Sequence, residues 1–202
     1  VVGLGTGSTA AYAIRAIGAA ADDGLDVRGV PTSFDARRLA RDAGIPIRSL
    51  DEVDGVDLAI DGADRIDRDR TAIKGGGAAH AREKVVDAAA DRFVVVADPS
   101  KVVDALSHPV PVEVLPDAHA AVQRDVAALG GESTLRRGEA KDGPVVTDNG
   151  NLVLDCAFGR IGDPGTLARR LSTLPGVVEH GLFVDLVDVA YVGTDDGVDR
   201  IE

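Results

Sequence analysis

At 202 residues, 45% hydrophobic and 28% charged, the chain carries enough apolar material for one sizeable soluble domain or two small ones, which excludes a disordered or fibrous polypeptide. Its formal net charge of −12 argues against nucleic acid and anionic membrane as partners, because so acidic a surface repels polyanions. No apolar run approaches the ~20 residues of a membrane span and no charged-then-apolar leader opens the chain, so the cytoplasm is the expected location.

The first half alternates strand and helix patterns. Strands are expected at Val1–Leu4, Val27–Val30, Val56–Ile60 and Phe93–Ala97, with helices over about Thr9–Ala21, Phe34–Ala43 and Ala78–Ala90. Strands separated by helices of this length imply βαβ units and a parallel sheet, whose ligands bind at the carboxyl ends of the strands. The sequence opens without Met, already inside the first strand pattern, which points to a lost front segment. From Pro109 the style changes to strand VPVEVL, helix Asp117–Leu129, a TDNGN turn, strand LVLDCAF, helix Pro164–Leu174 and strand VVEHGLF. With Ser133–Arg137 taken as a further strand, this order is that of a ferredoxin-like α+β unit. The final run DVAYVGT suits a return to the first sheet. The expected architecture is therefore α/β: a Rossmann-like parallel-sheet domain (1–106 plus 188–202) with an inserted ferredoxin-like domain (107–187).

Several strand ends carry chemistry-bearing residues. GLGTGSTA at 3–10 joins a strand to a helix, where backbone amides and a helix N-terminus favour an anion. Gly5, Gly7 and Ala10 fit the loose dinucleotide pattern, but Val30 leads into Pro31-Thr32-Ser33 rather than a ribose-binding acid, and the P-loop lysine is missing. What remains is a hydroxyl-rich cradle, Thr6, Ser8 and Thr9, of a size for one phosphate. The plainer alternative is a glycine turn with a Ser or Thr helix cap.

The third strand ends on Asp61-Gly62-Ala63-Asp64, two carboxylates with only small residues between them. Asp-Gly is common turn chemistry, and acids at strand ends are usually solvated. Lys74 then stands at a strand end before Gly75, Gly76 and Gly77, and Glu83 follows on the next helix, where it could equally be a surface residue. Asp98–Lys101, DPSK, closes the next strand. Of 22 cationic residues only four are Lys, at 74, 84, 101 and 141, leaving 18 Arg; three of the four fall in one segment. The histidines at 80, 108, 119 and 180 show no metal-ligand spacing, and the lone Cys156 reads as a small core residue. Acids, lysines and a phosphate cradle on one rim fit proton transfer on a phosphorylated metabolite.

The words GLGTGSTA, GVPTS, DGAD, IKGGGAA, REK, ADPSK, PVEVLP and VTDNGN, in this order, resemble the type A ribose-5-phosphate isomerase family across nearly the whole chain. The resemblance implies interconversion of D-ribose 5-phosphate and D-ribulose 5-phosphate, a step of the non-oxidative pentose phosphate pathway, without metal or cofactor, in a homodimer or homotetramer. It also implies that Thr6, Gly7, Ser8 and Thr9, Asp61, Gly62, Ala63 and Asp64, Lys74, Gly75, Gly76 and Gly77, and Lys101 bind the phosphosugar. Glu83 is the implied catalytic base, with Asp61, Asp64 and Lys74 assisting. Three features depart from the family pattern. Arg65 follows DGAD where the family has Glu, His80 follows KGGGAA where an apolar residue is usual and looks peripheral, and the family's first helix with its phosphate-binding lysine is absent. A sugar-phosphate sensor is the rival reading, and it would need no Glu83. The excess of acid and of Arg over Lys also resembles proteins adapted to concentrated salt.

Overall fold

The computed structural model describes residues 1–140 and 142–202. Lys141, one of the four lysines counted above, lies outside the described residues. In chain order the elements are β1 (Val2–Leu4), α1 (Ser8–Asp22), β2 (Gly29–Pro31), α2 (Phe34–Asp42), β3 (Leu58–Asp61), β4 (Arg65–Ile66), β5 (Ala72–Ile73), α3 (His80–Ala88) and β6 (Phe93–Ala97). There follow β7 (Val110–Val114), α4 (His119–Ala128), β8 (Glu132–Leu135), β9 (Leu152–Ala157), α5 (Pro164–Ser172), β10 (Val177–His180), β11 (Leu182–Phe183), β12 (Val189–Thr194) and β13 (Gly197–Ile201). No helix among the described residues is long and apolar enough to cross a membrane.

The chain divides into two compact units: Val1–Ala63, Arg82–Val102 and Asp185–Glu202 form the first, and Asp64–Ala81 with Val103–Val184 the second. The first is built on a six-stranded sheet in the order β13-β12-β6-β3-β1-β2. Its neighbours from β2 to β12 are parallel, and β13 pairs antiparallel with β12 at the edge. Leu4, Ala59, Val95, Val189 and Ala190 are buried, as expected of short apolar strands covered on both faces. Leu4 also packs with Ile14, Val27, Ala36, Ala40 and Ile45, the core shared with α1 and α2. The helix α2 starts where Ser33 accepts a hydrogen bond from the Ala36 amide, an N-cap that satisfies one of the orphan donors.

The second unit holds an antiparallel sheet in the order β10-β7-β9-β8, with α4 between β7 and β8 and α5 between β9 and β10. This is the ferredoxin-like order, with the second strand running over Glu132–Leu135. Val110, Val112, Val114, Val122, Val126, Leu154, Cys156 and Leu171 make its core. A smaller antiparallel sheet, β11-β5-β4, has no counterpart in the sequence analysis. It explains why residues 64–81, expected in the first domain, belong with the second: β5 pairs with β11, and Ile73 is buried in the second unit's core. VVEHGLF, expected to be one strand, is broken at Gly181. There the amide of Gly181 donates to Pro111 O at 2.7 Å and its carbonyl accepts the Lys74 amide at 2.9 Å, so β10 and β11 join different sheets.

Candidate active site

The expected site residues fall into two sets, one in each unit. Thr6–Thr9, Asp61–Ala63, Glu83 and Lys101 lie in the first; Asp64, Lys74 and Gly75–Gly77 lie in the second. The chain passes from one set to the other inside the DGAD motif, at the Ala63–Asp64 bond.

In the first unit, β1 and β3 run side by side and deliver the GTGST loop next to Asp61. The Gly5 amide donates to Ile60 O at 3.0 Å, and the fully buried Asp61 accepts the Thr6 and Gly62 amides on Oδ1 at 3.0 and 2.7 Å. A Cβ on Gly5 would sit 2.1 Å from that oxygen and 2.5 Å from Asp61 Cα, so only glycine permits the approach. The Thr6 hydroxyl donates to Ser33 Oγ at 2.7 Å and lies 2.9 Å from Thr32 Oγ1. The Thr32 hydroxyl in turn donates to Leu4 O at 3.1 Å. The end of β2 therefore holds the loop after β1. Gly7 precedes α1 without a side-chain cap, which leaves the first-turn amides around Ser8 and Thr9 available to an anion.

Glu83 is in the first turn of α3 and only 4% exposed, which removes its reading as a surface residue. The helix lies close over β1, since a Cβ on Gly3 would come within 2.8 Å of Val86 Cγ1. Lys101 ends a short 3-10 turn, Pro99–Lys101, after β6. Asp98 caps the turn, and the Ser100 hydroxyl and then the Ser100 amide hold the Asp98 carboxyl below the usual carboxylate range.

In the second unit Lys74 follows β5 and is 2% exposed, with Nζ 5.3 Å from the centroid of the Phe183 ring. A lysine amine over an aromatic face is attracted by the ring's quadrupole when protonated, and burial reduces the screening of such a charge by water. Asp64 Oδ2 accepts the Gly76 amide at 2.7 Å, while the Asp64 amide donates to Ile73 O at 2.8 Å. Arg65, the departure after DGAD, donates from Nη1 to Asp64 O at 2.6 Å, so it braces that backbone. His80, taken as peripheral, is fully buried. Its Nε2 lies 3.3 Å from Glu179 O and its ring fills the space where a Cβ of Gly75 would go, 2.6 Å from Nδ1.

Sequence reasoning missed the supports of both glycine loops. Thr32 and Ser33 were visible as a polar interruption after an apolar strand. Arg136, which donates from Nη1 to Gly75 O at 2.8 Å and Gly76 O at 3.1 Å, was hidden among 18 arginines.

The family model for ribose 5-phosphate isomerase A (phosphoriboisomerase A) matches residues 28–197. The chain belongs to this family. The ribose-5-phosphate isomerase A of Haloarcula marismortui is 69% identical over 198 residues, covering 98% of this chain and 86% of its own. That of Natronomonas pharaonis is 66% identical over 199 residues, covering 98% and 88%. A solved D-ribose-5-phosphate isomerase in complex with phospho-erythronic acid superimposes with a TM-score of 0.97 at 46% identity, over all of this chain and 90% of that one.

Proposed function

We propose that the protein interconverts D-ribose 5-phosphate and D-ribulose 5-phosphate through an enediol. The family match over residues 28–197 carries this reading. An aldose–ketose isomerisation moves a proton between C2 and C1, so one base must reach both carbons while the oxygen that gains charge is held. Glu83, buried in the first turn of α3, is the base. The Lys74 ammonium stabilises the oxyanion, the electrostatic contribution that is commonly the largest in such a reaction. Asp61 and Asp64 exchange protons with the sugar hydroxyls and assist ring opening, with Gly62 and Ala63 keeping the backbone slim between them. The amides at the start of α1, the hydroxyls of Thr6, Ser8 and Thr9, and Lys101 take the phosphate. Gly75, Gly76 and Gly77 bring backbone amides to the sugar.

The structural relative bound to phospho-erythronic acid supports the substrate class: a phosphorylated four-carbon acid offers a planar carboxylate where an enediolate would carry its charge. Association as a homodimer or homotetramer belongs to the same reading and is measured by sedimentation equilibrium. Action in the cytoplasm belongs to it too, and is measured by fractionation. The direct test is incubation with ribose 5-phosphate in EDTA while following ketose formation. Turnover is expected, and a protein that forms no ketose with or without added divalent metal sinks the proposal.

A further inference from the structure

The glycine loop after Lys74 is held from behind by a charged pair that none of the family motifs contains. Arg136 follows β8, and its backbone is fixed on both sides: its amide donates to Val153 O and its carbonyl accepts the Val145 amide, each at 2.9 Å. Its guanidinium is engaged in two directions. Nε donates to Asp155 Oδ2 at 2.9 Å and Nη2 to Asp155 Oδ1, a bidentate pair whose side chains are 17% and 32% exposed. Nη1 donates to the carbonyls of Gly75 and Gly76 at 2.8 and 3.1 Å. Gly75 O also accepts the Ala78 amide at 3.0 Å, across a turn in which Gly75 (φ 111°) and Ala78 (φ 57°) are both left-handed.

A trans peptide is planar, so fixing a carbonyl fixes the amide on its opposite edge. With Gly75 O and Gly76 O turned to Arg136, the amides of Gly76 and Gly77 face away from it. The Gly76 amide meets Asp64 Oδ2 at 2.7 Å. We infer that Arg136, backed by Asp155, is a positioning residue of the isomerisation: it orients the Gly76 and Gly77 amides and, through Gly76, the Asp64 carboxylate. The inference rests on the proposed isomerase reading. It explains why this place needs an arginine. Four of its five N–H groups are used in one rigid fork, and a lysine can supply neither that plane nor two carbonyl bonds together with a bidentate one.

The test uses Arg136→Ala, Arg136→Lys and Asp155→Asn in the full chain. Arg136→Ala is expected to lower kcat about 30- to 100-fold, the scale of a misplacement near 1 Å, with KM for ribose 5-phosphate within about threefold. Inhibition by phospho-erythronic acid should weaken, while inhibition by inorganic phosphate stays unchanged. Arg136→Lys should fail to restore kcat, and Asp155→Asn should fall between it and wild type. In 1H–15N spectra the Gly76 and Gly77 amides should shift in Arg136→Lys while Gly5 and Gly7 hold still. Where Arg136→Ala does not fold, the lysine and asparagine variants carry the same readouts. A kcat within threefold of wild type in the folded variants overturns the inference, as does an equal loss of inorganic phosphate inhibition. A wild type that forms no ketose fails the isomerase reading instead, and the amide shifts still decide whether Arg136 sets the loop.

Discussion

Two glycine-rich loops carry the candidate chemistry, and they are stabilised in different ways. The loop at Gly5–Thr9 sits between β1 and α1 and is tied to the ends of its neighbouring strands: Ile60 and Asp61 on β3, and Thr32 and Ser33 at the end of β2. Its amides come from a helix start, so its preference for an anion is built into the backbone. The loop at Gly75–Gly77 opens no helix until His80, and its carbonyls are turned by Arg136 from far along the chain. The first loop suits a charge the substrate always has. The second, beside the buried Lys74, suits a charge that appears only during reaction.

That contrast can be broken by kinetics. The largest effect sets the scale: Glu83→Gln removes the proposed base but keeps its size, so kcat should fall by roughly 10²–10⁴ with KM nearly unchanged. A near wild-type kcat would put the base elsewhere. Next, Lys74→Ala should lower kcat by about 10² and raise KM far less, because the charge it is proposed to meet develops in the transition state. A change confined to KM would make Lys74 a ground-state ligand and erase the distinction between the loops. Thr6→Val, which keeps shape but loses the hydroxyl network to Thr32 and Ser33, should do the opposite and raise KM about tenfold at nearly constant kcat.

Salt separates the two loops further. The net charge of −12 and the Haloarcula and Natronomonas relatives fit a surface that repels itself unless cations screen it. Thermal midpoints should rise from dilute buffer to molar KCl, as the Debye length falls from about 30 Å at 0.01 M to about 3 Å at 1 M. A midpoint that stays flat or falls removes the salt-adaptation reading. The same ions screen the phosphate, so KM should climb with KCl while kcat changes little, giving an activity optimum.

The smallest signal reports on the second unit alone. Burial, and then the charge of Asp155, push the Cys156 thiol up to about 12, so it should resist a thiol reagent at pH 8 until that unit opens. Because it is the chain's one cysteine, its labelling rate isolates the second unit from the global melt. Fast labelling in the folded protein would show that this core opens locally.

How much of this was legible before the structure follows from where each preference lies. Apolar periodicity and glycines at strand ends are local features, and they sufficed for the alternating first half and for the ferredoxin-like order of the insertion. Neighbours a few residues apart decide these features, so a linear pattern contains them. Four matters were settled only by tertiary pairing: the membership of residues 64–81, the break of VVEHGLF at Gly181, the burial of Glu83, Lys74 and His80, and the hold of Arg136 on Gly75 and Gly76. A two-residue strand such as β5 has no period to read, and it exists because β4 and β11 lie beside it. Arg136 reaches a carbonyl 61 positions away, and nothing in its own neighbourhood distinguishes it from Arg137. A hydrogen bond made across that separation is specified by the folded backbone, which brings the two groups within 2.8 Å.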